Sequence, residues 1–145
     1  MKFVGVDYGL ARTGLAVSDP EGRLAFPLMT VRLEDFSDRK AFLAALAERI
    51  VEAGAEAVVV GLPLTLDGEE SLTTRQIRNI TERLKRRVDL PFFFMMEALS
   101  SQEAWSDLRE AGLKMRKRKA VLDQQAAVRI LSSFLSLAPH DRRPA

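Results

Sequence analysis

Hydrophobic positions along this chain change their period several times, and each change marks an element. Phe3-Val4-Gly5-Val6 is a short apolar run that ends in Asp7. Gly9 and Gly14 bracket a turn, and Leu15-Ala16-Val17 reads as the returning strand of a hairpin. Asp19-Pro20-Glu21-Gly22 marks a second turn before a third strand-like segment at about 24–31. After Ser37 the spacing becomes helical: Phe42, Leu43, Leu46 and Ile50 share a face, Ser37 is suited to cap the start, and Gly54 to sit just past the end. Ala57-Val58-Val59-Val60-Gly61-Leu62 is a continuous, β-branched apolar run, the pattern of a strand buried on both faces. The spacing of Ile77, Ile80 and Leu84 predicts a helix over about 71–88, and Leu90-Pro91-Phe92-Phe93-Phe94-Met95-Met96 a further buried strand with proline at its entry. Two more helices are expected at about 101–111 and 120–137, separated by a basic loop.

The order β-β-β-α-β-α-β-α-α predicts an α/β fold. Its five-stranded mixed sheet has three antiparallel meander strands, two parallel strands and helices on both faces. The crossovers should be right-handed. No repeat or Pro/Ser-rich linker divides the chain, so residues 1–138 read as a single domain and 139–145 as a flexible C-terminal tail.

Composition narrows the chemistry. The 145 residues contain no cysteine, which excludes disulfides, thiol catalysis and cysteine-ligated metals and fits a reducing cytoplasm. The single histidine, His140, lies in the tail, so a His-dependent triad in the body is also excluded. Catalysis, if there is any, falls to carboxylates. No apolar run approaches a membrane span, so no membrane partner is expected. The net charge of +2 conceals an asymmetry: residues 1–70 carry seven bases and twelve acids, and residues 71–145 fifteen bases and eight acids. Two stretches, 75–87 and 109–119, each hold six bases and one acid, which suggests a surface facing a polyanion or, more simply, solvated helix ends.

Three acids stand out against this background. Asp7 closes the first apolar strand and Glu97 the last, and a carboxylate at the end of a buried strand is costly to desolvate unless it is paired or metal-bound. If the two strands are neighbours, both acids lie at one sheet edge, where open α/β sheets place ligands. Asp123 precedes Ala127, Ile130 and Phe134 by four, seven and eleven positions, so it shares the inward face of the last helix. Each has a plainer reading: an Asx-turn at Asp7, a solvent-facing strand end at Glu97, an N-cap at Asp123. Taken together they form an oxygen-ligand set suited to Mg²⁺ or Mn²⁺. Two such ions would support in-line phosphodiester hydrolysis, with the basic stretches on the phosphate backbone.

These residues resemble the YqgF/RuvX family. Val6-Asp7-Tyr8-Gly9 and Arg12-Thr13-Gly14-Leu15-Ala16-Val17-Ser18-Asp19 are similar to its opening, and Val60-Gly61-Leu62-Pro63-Leu64-Thr65-Leu66-Asp67-Gly68 to its central strand-loop signature. Arg116-Lys117-Arg118-Lys119, followed by Leu122-Asp123-Gln124-Gln125-Ala126-Ala127, resembles its C-terminal basic loop and helix. The match runs over about 1–137. It implies an RNase H-like fold related to the RuvC Holliday-junction resolvases, with members described as pre-16S rRNA nucleases and some as junction resolvases. The family's acidic set falls on Asp7, Glu97 and Asp123, as catalytic residues and metal ligands. Nucleic acid would be held by Arg12, Thr13, Arg116, Lys117, Arg118 and Lys119. The resemblance also implies a divalent metal (two ions), a cytoplasmic role in ribosome maturation, and the homodimers found among members. One departure is visible: many members carry Asp-Glu-Arg at the end of the last strand, where this chain has Met96-Glu97-Ala98. Losing that arginine removes a bidentate phosphate contact, and losing the aspartate alters the surroundings of the metal ligands.

The expected function is therefore metal-dependent hydrolysis of phosphodiester bonds in structured nucleic acid, in 5′-end maturation of 16S rRNA precursor. Holliday-junction cleavage in DNA recombination is the first alternative. A nucleic-acid-binding ribosome-assembly or transcription factor with a vestigial nuclease site is the second. A nucleotide-phosphate loop of the sugar-kinase type is weaker, because the chain is short for two lobes.

Overall fold

The structure, a computed structural model, describes residues 1–64, 71–97 and 115–145, and for Glu97 and residues 115–123 their backbone alone. The helix expected at 101–111 lies outside the described residues. The chain runs β1 (Phe3–Asp7), β2 (Arg12–Ser18), β3 (Ala25–Arg32), α1 (Arg39–Glu52), β4 (Ala57–Pro63), α2 (Leu72–Arg87), β5 (Phe92–Glu97), α3 (Met115–Leu135) and β6 (Arg143–Pro144).

Among the described residues six strands form one sheet in the order β3-β2-β1-β4-β5-β6. The meander and the two parallel pairs, β1 with β4 and β4 with β5, match the expected mixed sheet. The count of five is one short. The sixth strand comes from the segment expected as a tail: β6 pairs antiparallel with β5, and Ala145 N donates to Phe92 O at 2.8 Å. Local periodicity could not reveal it, because a two-residue strand exists only through its partner.

Apolar residues of alternate parity feed two cores. Val4, Val6, Leu15, Val58, Val60 and Leu62 pack under α1 and α2, whereas Phe3, Ala16, Ala57 and Val59 pack under α3. Phe134 of α3 closes the second core with ring centroids 5.6 Å from Phe3 and 5.3 Å from Phe93. Pro27 is accommodated because β3 is an edge strand with a register shift beside it, where β2 passes from Leu15 to Ala16.

Helix ends follow local chemistry. α1 is capped by Asp38, whose side chain accepts from Ala41 N at 2.8 Å, one residue later than the Ser37 expected from sequence. Gly54 follows its end at φ +76, a conformation open to glycine. Ser71 caps α2 in a reciprocal pair with Thr74. Thr74 is fully buried, and its hydroxyl also donates to the Pro63 carbonyl, tying the start of α2 to the end of β4.

α3 departs most from expectation. It begins at Met115, so residues 116–119 form its opening turn and not a loop before it. Asp123 therefore lies two turns inside the helix, which removes its reading as an N-cap.

Candidate active site at the carboxyl edge of the sheet

Two glycines let α3 lie unusually close to the sheet. A Cβ on Gly5 would stand 2.9 Å from Leu131 Cβ and 3.1 Å from the Ala127 carbonyl oxygen. A Cβ on Gly61 would stand 2.3 Å from Ile130 Cδ1. At Gly5 a side chain would have to move the helix itself, and at Gly61 it would have to turn Ile130 aside. With Phe134 against Phe3 and Leu131 and Ala127 against Gly5, α3 runs antiparallel to β1. The next step in that register brings the helix turn holding position 123 toward position 7. Gln124 agrees with this placement: its side chain donates to Thr30 Oγ1 at 3.3 Å, and Thr30 pairs with Gly14, which pairs with Asp7.

Alternation assigns Asp7 to the α3 face with Phe3 and Gly5, and position 97 to the same face with Phe93 and Met95. The two strands are not neighbours, however. β4 runs between them: Val6 pairs with Val60, and Glu97 with Pro63. Two interstrand spacings separate the acids laterally, about 10 Å. Gly61 and Pro63 form the floor between them, small or apolar, and compete for no ligand. Asp7 is half-buried and engaged by a neighbouring group. The side chains of Glu97 and Asp123 lie outside the described residues, as do those of Arg116, Lys117, Arg118 and Lys119. Among the described residues no three metal-ligating side chains cluster.

The hairpin residues divide between the two faces. Arg12 opens β2 at the same edge as Asp7 and is half-buried and partnered. Thr13 is fully buried and follows Leu15 toward α1 and α2, away from the α3 face, and its hydroxyl finds no hydrogen-bond partner among the described residues. Gly9 holds the intervening turn, where a Cβ would collide with the Arg12 carbonyl. Met96 also points to the α1/α2 core and receives the Arg143 guanidinium on its sulfur at 3.4 Å. An aspartate at this position would thus lie on the face opposite Asp7.

Arg39 is a residue that sequence reading passes over. Its guanidinium donates to the Tyr8 hydroxyl at 2.6 Å and to the Leu10 carbonyl at 3.3 Å, fixing the loop that follows Asp7. The signal for it is a helix opening on Arg39 and Lys40 with no acid in its first turn, contrary to the preference of a helix dipole.

Comparison with known proteins agrees with this architecture. A RuvC from Thermus thermophilus, solved in complex with a Holliday junction substrate, superposes with a TM-score of 0.59 at 17% identity, covering 100% of this chain and 99% of that one. That likeness establishes the RuvC-like RNase H fold. Proteins from Oleidesulfovibrio alaskensis (56% identical, 99% of this chain and 96% of the relative) and Nitratidesulfovibrio vulgaris Miyazaki F (55%, 100% of both) bear the name "Putative pre-16S rRNA nuclease". A relative from Lawsonia intracellularis, 48% identical over 98% of each chain, bears the same name. The family model described as "RuvX: Holliday junction resolvase" matches residues 1–137, and the chain belongs to the RuvX family.

Proposed function

We propose that this chain is a divalent-metal-dependent nuclease that hydrolyses phosphodiester bonds in structured nucleic acid, with 16S rRNA precursor as its substrate. The observation that supports the reading is that Asp7 and position 97 end β1 and β5 at the same edge of the sheet, with position 123 well inside α3 and not at its cap. The names of the relatives support the same activity and substrate.

Asp7, Glu97 and Asp123 would hold Mg²⁺ or Mn²⁺, two ions in this reading. The donor set fits: it is all oxygen, the chain has no cysteine, and its only histidine lies in the C-terminal segment. The bound metal supplies water activation and charge neutralisation at the scissile phosphate. The protein's own part is positional. The close seat of α3 on Gly5 and Gly61 would carry position 123 toward the strand ends, and the Arg39–Tyr8 bond holds the loop beside Asp7. Arg12 and residues 116–119 would flank the reacting phosphate at that edge, and Thr13 supports the hairpin from within. No helix among the described residues is long and apolar enough to cross a membrane. A role in rRNA maturation would place the protein in the cytoplasm, and a homodimer is the expected assembly.

The deciding experiment is a side-by-side cleavage assay on rRNA precursor and four-way-junction DNA, with wild type and Asp7→Asn in Mg²⁺ or Mn²⁺. Loss of precursor cleavage in the variant, with binding retained, supports the reading. Unchanged cleavage by the variant overturns the mechanism. Junction cleavage alone would move the substrate to branched DNA, which the description of the family favours.

A further inference from the structure

The opposite face of the sheet carries a second cationic feature. Between α1 and α2 runs a groove made of successive hollows. The first, about 230 Å³, begins at Tyr8 and Leu10 and is walled by Arg39, Asn79 and Arg83. The second, about 480 Å³, lies between Lys40 and Leu43 of α1 and Arg83, Arg86 and Arg87 of α2. Arg83 borders both hollows, and the first begins at Tyr8, the residue next to Asp7. Beyond Arg87 the lining turns to Glu48 and Glu52.

The fold does not account for these cations. Lys40, Arg83, Arg86 and Arg87 are exposed, and none forms an ion pair or side-chain hydrogen bond among the described residues. Lys85, by contrast, is bound to Glu82 and to the Ala145 carbonyl. Arg86 and Arg87 complement the negative end of α2, which is reason enough for them alone. It is no reason for Arg83, a turn further in, and Lys40 sits where the positive end of α1 disfavours it. Repulsion among uncompensated like charges around one hollow is relieved by an anionic partner.

We propose that this groove is a nucleic-acid track: the phosphate backbone of a strand leaving the reacting edge lies between α1 and α2, on Lys40, Arg83, Arg86 and Arg87. The inference rests on the nuclease reading and extends it to the face opposite α3. From Gln76 to Arg87 the helix rises about 16 Å. That length leaves room for the few phosphates that Lys40, Arg83, Arg86 and Arg87 would contact. Contacts of this kind position a strand without reading its sequence. The track stops at Arg87, because Glu48 and Glu52 would repel the next phosphate. A polyanion is favoured over an acidic protein surface because the first hollow begins at Tyr8, beside the reacting edge.

The test compares the full chain with Arg83→Gln/Arg86→Gln, using a labelled 30-nucleotide single-stranded RNA and a labelled 6-nucleotide RNA across a salt series, in Ca²⁺. Each arginine that no longer neutralises a phosphate lowers the salt slope by about 0.7 on a single strand. The slope on the long RNA should therefore fall by about 1.4, and its affinity about tenfold at moderate salt. The short RNA, which can also bind at the reacting edge alone, should lose less affinity than the long one, the thermal midpoint should not move, and the control Lys2→Gln/Arg23→Gln should match wild type. Unchanged slope and affinity on the long RNA, with wild type still binding, overturns the groove and leaves the nuclease reading standing. Equal losses in the control variant also overturn it, as does a variant that loses poly-glutamate binding while RNA binding is unchanged. Wild-type protein that neither binds nor cleaves any nucleic acid overturns the nuclease reading itself, and the groove with it.

Discussion

Gly5 and Ala127 face each other across the sheet–helix interface so closely that a methyl group on the glycine would stand 3.1 Å from the alanine carbonyl oxygen. The neighbour is backbone and cannot swing aside, and Leu131 Cβ lies on the same side at 2.9 Å. Gly5→Ala should therefore lift α3 from β1 and cost about 1–3 kcal/mol, the usual range for overpacking. Denaturant unfolding would measure it. Because α3 carries Asp123, nuclease activity should fall by more than the folded fraction does. A variant as stable as wild type would show that the helix seat is loose.

Asp7 and Asp123 act on one reaction in the proposed mechanism, so their effects should not add. Asp7→Asn and Asp123→Asn should each remove nearly all cleavage, and the double variant should be little worse than either single one. Single-turnover rates on rRNA precursor would decide this. Multiplicative losses would mean that the two acids contribute independently.

Thr74 joins the α2 cap to the last residue of β4, and it is fully buried. Thr74→Val keeps the shape but leaves the Pro63 carbonyl and the Ser71 amide without this partner. Removing one side of a buried hydrogen bond costs about 1–3 kcal/mol. Thermal unfolding should record a lower midpoint. Thr74→Ser, which keeps the hydroxyl, should recover most of the loss.

Asp19 closes the turn between β2 and β3 by accepting from Arg23 N at 2.7 Å and Leu24 N at 2.9 Å. These bonds favour the ionised form and hold its carboxyl below the usual value of 3.8, led by the Leu24 amide and then Arg23. A depressed folded value means that the contribution to stability is present above pH 3.8 and is lost as pH falls through the folded value. The carboxyl carbon shift of Asp19 should thus titrate below 3.8, and Asp19→Ala should show a weaker loss of stability in acid. A midpoint at or above 3.8 would contradict the turn geometry.

Much of this molecule is legible in the sequence because its elements are marked locally. The β-branched run at 57–62 and the helical spacing of Phe42, Leu43, Leu46 and Ile50 depend on burial periodicity alone, and both elements are found where expected. The three acids are visible because two close apolar strands and the third falls on the apolar face of a helix. Glycine at 61 stands out only within a family signature, since closeness to Ile130 is a property of another element's position.

Alone, then, the sequence determined the types of the elements over 3–62 and 71–97, the parity of strand faces and the oxygen-only character of the candidate site. Tertiary structure decided the rest. It placed β4 between the strands of Asp7 and Glu97, added β6 at the edge, and turned Thr13 and Met96 toward the α1/α2 core. It also set the cations of α2 on the face opposite α3, where the charge pattern by itself suggests one basic surface. The physical reason is common to all of these. Strand order and helix docking are fixed by contacts between residues far apart in the chain, and local periodicity carries the face of a residue but not the identity of its neighbour.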